Sequence, residues 1–274
     1  MPDHLTEIIE ELTLANRILG NEGVIDAFGH VSIRHPDDPG RYLLSRSRSP
    51  LIVEPDDILE YDLNSEPVAA PSAQQYSERV IHGEIYKMRD DVMAVCHHHA
   101  PAVMPYCIAG VPIAPVFHVG GAIGEHVPFW DQHDEFGDTN LLVVKPEEGH
   151  SLARALGKNS VVLMKRHGAT VVGASLRELV SRCIYLCWNA EHQLRASLIG
   201  TPQPLYPGEI TLAGAINTKT TAATRTWEYW SARLKAAGFW PPQRAAKASR
   251  RAPAKSARTA ARSRTKAKKT AMRW

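Results

Sequence analysis

The chain has 274 residues, of which 44% are hydrophobic and 22% charged, and it contains 4 Cys. This composition excludes collagen-like, mucin-like and disulfide-scaffold proteins. No apolar run approaches the roughly 18 residues that a membrane span needs. The N-terminus lacks the basic and apolar regions of a signal peptide. The four Cys are too few and too apolar in context for a disulfide scaffold, so we expect a protein of the reducing cytoplasm.

The formal net charge of +3 is distributed unevenly along the chain. Residues 239–274 hold 12 Lys and Arg and no acid, which leaves 20 Lys and Arg against 29 Asp and Glu, a net charge of −9, in residues 1–238. The tail is rich in Ala, Lys, Arg, Ser and Thr, which cannot bury enough apolar surface to order it. We therefore predict one large domain over 1–238 and a disordered basic tail over 239–274. The tail either binds polyanions nonspecifically or is merely solvated.

Deleting residues 241–274 should leave fold and catalysis intact. It should also remove any salt-sensitive adhesion to nucleic acid or anionic resin, because phosphate neutralisation by Lys and Arg weakens with salt. The measurement is turnover and retention on such a resin, before and after truncation. Loss of turnover at an unchanged oligomeric state would show that the tail reaches the active site.

The predicted elements alternate between helices and strands along the chain. A helix over 4–20 precedes three short strands over 30–34, 41–45 and 58–63. A second helix over 76–88 leads into a buried strand over 92–96, a helix over 101–107 and a strand over 115–119. A helix over 146–156, strands over 161–165 and 169–172, and helices over 175–198 and 224–237 follow. This order predicts an α/β protein.

Three consecutive histidines follow the buried strand at 92–96. Because side chains alternate along extended backbone, His97 and His99 should face one side and His98 the other. Two imidazoles spaced in this way suit a divalent transition metal. The alternative is that the three are ordinary polar residues at a strand end.

A fourth histidine, His167, lies in the sequence Arg166-His167-Gly168 between two predicted strands. Gly168 would permit a tight turn that points the imidazole inward. Glu78, on the helix that precedes the buried strand, could add a carboxylate. These residues favour a metal site, although their spacing in the sequence does not establish that they meet.

These segments resemble the class II aldolase/adducin head-domain family over about residues 6–199. Its G-N-V-S-x-R segment resembles residues 28–34, S-E-x-x-x-H resembles residues 77–82, A-V-x-H-x-H-A resembles residues 94–100, and the x-H-G turn resembles residues 166–168. The resemblance implies a three-layer α/β/α fold around a central mixed, largely antiparallel sheet. It also implies that residues 1–238 form the catalytic domain.

The resemblance further implies the site residues and the assembly. His97, His99 and His167 would hold one divalent ion per subunit, and Glu78 would be a fourth ligand that can leave and act as acid or base. Mn²⁺ and Zn²⁺ are favoured over Fe²⁺ and Co²⁺. The family forms homotetramers whose active sites lie at subunit interfaces.

Departures from the family pattern bear on the substrate. His30 replaces the Asn of sugar-phosphate aldolases, and it either orients the substrate hydroxyl or is a structural residue of its strand. Ser47-Arg48 replaces a Thr-Gly pair that cradles phosphate. Arg46 and Arg48, with the hydroxyls of Ser45 and Ser47, suit carboxylates, because guanidinium groups pair with them bidentately. The alternative is that both arginines face solvent.

His118 falls where the aldolases place a catalytic tyrosine. It could protonate the product, reaching over from a neighbouring subunit. We expect His98 to support the site or the fold rather than to be a ligand. His82 either orients Glu78 or packs in the core.

The pattern of departures is similar to the decarboxylase branch, which acts on hydroxylated aromatic or pyridine dicarboxylates such as 3-hydroxy-2-methylpyridine-4,5-dicarboxylate. The sequence therefore predicts a metal-dependent carboxy-lyase of aromatic catabolism. Two alternatives remain open: an aldolase acting on a non-phosphorylated hydroxy-carbonyl compound, and a non-catalytic scaffold of the adducin type.

Overall fold

The computed structural model describes residues 4–69 and 72–242. Within them the strands form one seven-stranded sheet in the order β3-β2-β1-β4-β7-β6-β5. Every neighbouring pair is antiparallel except β5 and β6, which are parallel. The strands are β1 (His30–Arg34), β2 (Arg41–Ser45), β3 (Ile58–Asp62), β4 (Ala94–His98), β5 (Phe129–Trp130), β6 (Val161–Met164) and β7 (Gly168–Gly173).

The α-helices of the described residues are joined by several single 3-10 turns. The helices are α1 (His4–Asn21), α2 (Val80–Met88), α3 (Met104–Ala109), α4 (Gln132–Phe136), α5 (Pro146–Leu156), α6 (Leu176–Ser197), α7 (Pro207–Asn217) and α8 (Thr220–Ala236). Three of the 3-10 turns carry residues that bear on the site. Asp57 ends the turn Pro55–Asp57, Glu78 lies in Ser77–Arg79 directly before α2, and the predicted His118 begins His118–Ile123.

Two hydrophobic clusters lie on opposite faces of the sheet. One packs α1, α3, α6 and α8 against one face, and the other packs α2 and α5 against the other face. Alternate residues of β4 serve the two clusters, since Cys96 belongs to the first and Val95 to the second. The predicted three-layer α/β/α fold with a mixed, largely antiparallel sheet is therefore confirmed.

The predicted strand over 115–119 is wrong. The chain is irregular there and then enters the 3-10 turn His118–Ile123. The amides of Ala114 and Val116 bond to side chains of α6, Gln193 Oε1 and Asn189 Oδ1, each at 2.9 Å. These bonds occupy the backbone groups that a ladder would use, and Pro115 has no N–H to give.

Three short or exposed elements, β5, α4 and α7, were not predicted. Strand β5 has two residues and α4 has five, too few for a periodic pattern. Helix α7 buries only Ile210 and Ala213, so its sequence carries little amphipathic signal.

The compact unit extends to Pro242, beyond the predicted boundary at 238. The Phe239 carbonyl accepts a hydrogen bond from Arg17 Nη1 at 2.7 Å, and Trp240 packs against the first hydrophobic cluster. The predicted disordered tail lies, from residue 243 onward, outside the described residues. Across 4–69 and 72–242, no helix has the length and apolar character needed to cross a membrane.

Candidate active site

Four side chains from three parts of the chain meet at one end of the sheet. Glu78 comes from the 3-10 turn before α2, His97 from β4, His99 from the residues just after β4, and His167 from the turn between β6 and β7. One ligand atom from each lies within 4.8 Å of the others. The sheet order explains this convergence, because β4 and β7 are adjacent.

The Nε2 atoms of the three histidines surround the carboxylate of Glu78. His97 Nε2 lies 3.0 Å from His99 Nε2 and 3.8 Å from Glu78 Oε2. His167 Nε2 lies 3.5 Å from Glu78 Oε1. Three imidazole nitrogens and one carboxylate therefore converge within 4.8 Å of one another.

The histidine run divides between the two faces of β4, as strand alternation requires. His97 and His99 take one side, and their ring centroids lie 4.8 Å apart. His98 is wholly buried on the other side, where its Nδ1 accepts a hydrogen bond from the Ala100 amide at 3.2 Å. His98 is therefore not among the convergent ligands.

Gly168 serves the site for a reason other than the predicted one. The left-handed residue of the turn is Arg166, with φ of 61°, whereas Gly168 begins β7. A Cβ on Gly168 would lie 2.3 Å from the His98 carbonyl oxygen and 2.9 Å from the His99 ring. The glycine is required because β7 passes close to the histidine run.

Burial sets the charge of the cluster. It lowers the pKa of His167 to about 4 and, together with the neighbouring imidazoles, holds the pKa of His97 well below its ordinary value. Burial also raises the pKa of Glu78 to about 7, although the Val143 amide, which donates to Oε1 at 2.9 Å, acts in the opposite direction. Neutral His97 and His167 can offer their lone pairs to a metal ion.

A hydrogen-bond partner orients one of the imidazoles, and a carboxylate faces a second. His97 Nδ1 lies 3.3 Å from Thr170 Oγ1, and that hydroxyl lies 3.5 Å from Met164 Sδ. His99 Nδ1 lies 3.6 Å from Asp26 Oδ1. A proton held on Nδ1 by such a partner leaves Nε2 free to coordinate, which is the usual support of metal-binding histidines.

The donor set fits a divalent transition metal. Three imidazole nitrogens and one carboxylate are ligands that zinc, manganese, iron and cobalt accept. The His97 and His99 Nε2 atoms face each other at 3.0 Å, a separation at which two neutral imidazoles can both direct lone pairs at one ion. The residues predicted as ligands are thus assembled in a form that suits an ion.

A cavity of about 470 Å³ opens beside the cluster. It contains Glu78, His99 and His167 from the cluster, together with His30 and Arg48. The remaining lining residues are Ala27, Phe28, Ser47, Ser49, Gln74, Gln75, Tyr76, Ser77 and Leu142. Candidate metal ligands and a guanidinium therefore face one space.

The two predicted arginines share one carboxylate but occupy different places. Arg46 Nε donates to Asp57 Oδ1 at 2.6 Å, and Arg48 Nη1 donates to Asp57 Oδ2 at 2.7 Å. Arg48 also has Nη2 at 3.7 Å from Glu54 Oε1. Arg48 lines the cavity, and Arg46 is not among the described residues that do. Neither arginine is simply solvated, so the alternative of two free surface arginines is wrong.

Replacing Asp57 by Asn should destabilise the protein at neutral pH and make its stability less sensitive to acid. Burial raises the pKa of Asp57, but the Glu54 amide and the two guanidiniums outweigh burial and hold it below its ordinary 3.8. A lowered pKa gives stability that is present above the unfolded value and lost as pH falls through the folded value. We expect Asp57→Asn to cost about 2 kcal/mol of unfolding free energy at pH 7 and less below pH 3. Urea unfolding at both pH values measures this, and an equal loss at both would contradict it.

Two other predicted residues do not reach the cavity within one subunit. Ser45 is buried, and its Oγ has no hydrogen-bond partner among the described residues. His118 is exposed at the start of its 3-10 turn, where its carbonyl accepts from Asn217 Nδ2 at 3.1 Å. The expectation that His118 serves a neighbouring subunit stays a prediction.

Sequence reasoning missed the cavity wall formed by Gln74, Gln75 and Tyr76. The Tyr76 hydroxyl donates to the Arg48 carbonyl, and its ring lies 4.7 Å from that of His30. It also missed Val143, whose amide holds Glu78. These residues lie in loops with no periodic pattern, and only their closeness in sequence to Ser77 and Glu78 hinted at a role for the first three.

Comparison with known proteins gives the same family. The family model of the class II aldolase and adducin N-terminal domain matches residues 10–194. The decarboxylase tropJ of Talaromyces stipitatus is 32% identical over 245 residues, covering 81% of this chain and 92% of that protein. The 3,4-dihydroxyphthalate decarboxylase of Arthrobacter keyseri is 29% identical over 248 residues, covering 83% and 94%.

Solved structures show the same fold at low identity. L-fuculose 1-phosphate aldolase from Glaciozyma antarctica PI12 superposes with a TM-score of 0.72 at 19% identity, covering 87% of this chain and 93% of its own. An aldolase II superfamily protein from Pseudomonas syringae gives 0.73 at 18% identity, covering 87% and 96%. The chain therefore belongs to the class II aldolase and adducin N-terminal domain family, and its likeness to named decarboxylases over most of its length identifies it as a carboxy-lyase.

Proposed function

We propose that this protein is a metal-dependent decarboxylase of a hydroxylated aromatic or pyridine dicarboxylate. The observation that carries the proposal is the shared cavity, in which Arg48 lies with Glu78, His99 and His167. Relatives named as decarboxylases of 3,4-dihydroxyphthalate support the substrate class. We propose Mn²⁺ or Zn²⁺ as the ion, held by His97, His99, His167 and Glu78.

The reaction breaks the bond between a ring carbon and a carboxyl carbon. Carbon dioxide leaves, the bonding electron pair stays on the ring, and the ring carbon then takes a proton. When bound, the divalent ion supplies Lewis-acid stabilisation of the negative charge that spreads to the substrate oxygens.

The chain's own residues orient the substrate. Arg48 can hold the retained carboxylate through the guanidinium nitrogens that Asp57 does not occupy. Ser47 and Ser49 line the same cavity. His30 lies on the wall where it can orient a ring hydroxyl. Glu78, or His118 of a neighbouring subunit, would deliver the proton to the ring carbon.

A homotetramer would complete the site. Phe28 lines the cavity and is 71% exposed in the single chain. An exposed aromatic ring at the mouth of a polar cavity is the kind of surface that a neighbouring subunit covers. Light scattering on the purified protein tests the assembly, and a monomer with full activity would reject it.

Incubating the protein with 3,4-dihydroxyphthalate and Mn²⁺ or Zn²⁺ tests the function. We expect release of carbon dioxide and formation of dihydroxybenzoate, and loss of both on treatment with a chelator. Release of an aldehyde from hydroxy-keto acids, without carbon dioxide from any hydroxylated dicarboxylate, would favour the aldolase alternative. A protein with no bound metal and no turnover would favour the scaffold alternative.

A further inference from the structure

A line of buried hydrogen bonds runs from the cavity wall into the protein. His30 Nδ1 lies 2.6 Å from His82 Nε2, and His82 Nδ1 lies 2.6 Å from Ser32 Oγ. Ser32 Oγ lies 2.8 Å from the Tyr86 hydroxyl, which lies 3.4 Å from the Met93 carbonyl oxygen. All four side chains of the line are buried.

The line joins two elements of the fold. His30 and Ser32 are alternate residues of β1 and share one face, whereas His82 and Tyr86 are one turn apart on α2. Burial lowers the pKa of His82 to about 3 and raises that of the Tyr86 hydroxyl, so both side chains are neutral. Each contact therefore carries one proton, and the protons can point along the line in one of two directions.

The two directions differ in the number of hydrogen bonds that they make. With all protons directed inward, His30 donates to His82, His82 to Ser32, Ser32 to Tyr86, and Tyr86 to the Met93 carbonyl. With all protons directed outward, Tyr86 donates to Ser32 and the bond to Met93 is lost. The outward direction also leaves an N–H on His30 Nε2, a buried atom with no partner among the described residues. The inward direction makes one bond more, and it leaves His30 Nε2 as an unpartnered acceptor rather than an unpartnered donor, so it is the more stable.

We propose that His82, Ser32 and Tyr86 are positioning residues that hold His30 with its proton on Nδ1, so that Nε2 accepts a hydrogen bond from a ring hydroxyl of the substrate. His30 lines the cavity, and its ring centroid lies 5.3 Å from that of His97. A hydroxyl bound to His30 is thus next to the candidate metal ligands. This inference rests on the proposed function only in that the substrate carries such a hydroxyl.

Removing the Tyr86 hydroxyl should reverse the line. In Tyr86→Phe, Ser32 loses its acceptor and can donate only to His82 Nδ1. His82 then donates from Nε2 to His30 Nδ1, and the His30 proton moves to Nε2. Ser32→Ala should have the same result, because His82 Nδ1–H loses its acceptor.

Tyr42→Phe is the matched control. Tyr42 is equally buried, its ring lies 6.2 Å from that of His82, and its hydroxyl donates to the Arg79 carbonyl outside the line.

The tautomers can be read from the ring-nitrogen chemical shifts of the full chain labelled with ¹⁵N-histidine, in zinc-containing buffer. The His30 signals are assigned from their loss in His30→Gln. We expect His30 to carry its proton on Nδ1 in wild type and Tyr42→Phe, and on Nε2 in Tyr86→Phe and Ser32→Ala. A wild-type His30 protonated on Nε2, or an unchanged tautomer in both line variants, would overturn the proposal.

Binding supplies the second readout, with 3,4-dihydroxyphthalate and 3,4-dimethoxyphthalate as probes. Tyr86→Phe should weaken binding of the dihydroxy compound about tenfold, because one hydrogen bond is lost and the His30 Nε2–H then faces the substrate hydroxyl. The dimethoxy compound should bind to the variant no more weakly than to wild type. Equal weakening of both compounds would mean that the line only supports the cavity wall. If wild type neither binds nor decarboxylates the dihydroxy compound, the proposed function fails. The tautomer measurement alone then tests whether His82, Ser32 and Tyr86 hold the His30 proton on Nδ1.

Discussion

Replacing His99 by Gln, or both His97 and His99 by Ala, should remove the metal from the protein and lower turnover on the order of a thousandfold. A loss of this size is expected because a Lewis acid lowers the reaction barrier by several kcal/mol. The loss follows because these two histidines supply half of the convergent donor set. Elemental analysis after dialysis and turnover in metal-supplemented buffer measure the two effects.

The fold needs its own control, because His97 is wholly buried in β4 and its removal leaves a cavity. His98→Ala removes an equally buried imidazole from the opposite face of the same strand. It should destabilise the protein to a similar degree and keep the metal. Full metal occupancy in the His97→Ala/His99→Ala protein would reject the assignment of the site.

Replacing Arg48 by Leu or Gln should reduce catalytic efficiency about 30-fold to several thousandfold on a hydroxylated dicarboxylate, since a buried carboxylate left without its guanidinium costs about 2 to 5 kcal/mol. Arg48→Lys should recover only part, because an ammonium lacks the planar pair of donors. On an analogue without the second carboxylate the loss should be much smaller. The measurement is kcat/KM on the matched pair of substrates.

Arg46→Gln is the matched control for this prediction. Arg46 and Arg48 bind the two oxygens of the same Asp57 carboxylate, but only Arg48 is among the described cavity-lining residues. Arg46→Gln should therefore affect stability more than selectivity between the two substrates. Equal losses for both variants on both substrates would mean that the arginines only maintain the loop. Efficient turnover of a sugar phosphate by wild type would reject the decarboxylase proposal altogether.

Much of the site was predictable because its chemistry lies in short, periodic segments. The alternation of His97, His98 and His99 follows from strand geometry alone, and the family motifs located Glu78 and His167. The different roles of Arg46 and Arg48 were not predictable, because they depend on Asp57, which binds both arginines from the 3-10 turn Pro55–Asp57. The role of Gly168 was also misjudged, since a close approach of two strands leaves no mark on local sequence.

The antiparallel pairing of β1 with β4 places His30 directly opposite His97. A candidate metal ligand and a candidate substrate-facing residue are thus cross-strand neighbours, and the register of a single ladder sets the distance between metal and substrate. A slip of β1 by one residue would turn His30 to the other face of the sheet and leave His97 in place. Position 30 can nevertheless change its side chain without moving the backbone that carries His97. We therefore expect substitution at position 30 to change substrate preference, while the candidate metal ligands stay where the sheet places them.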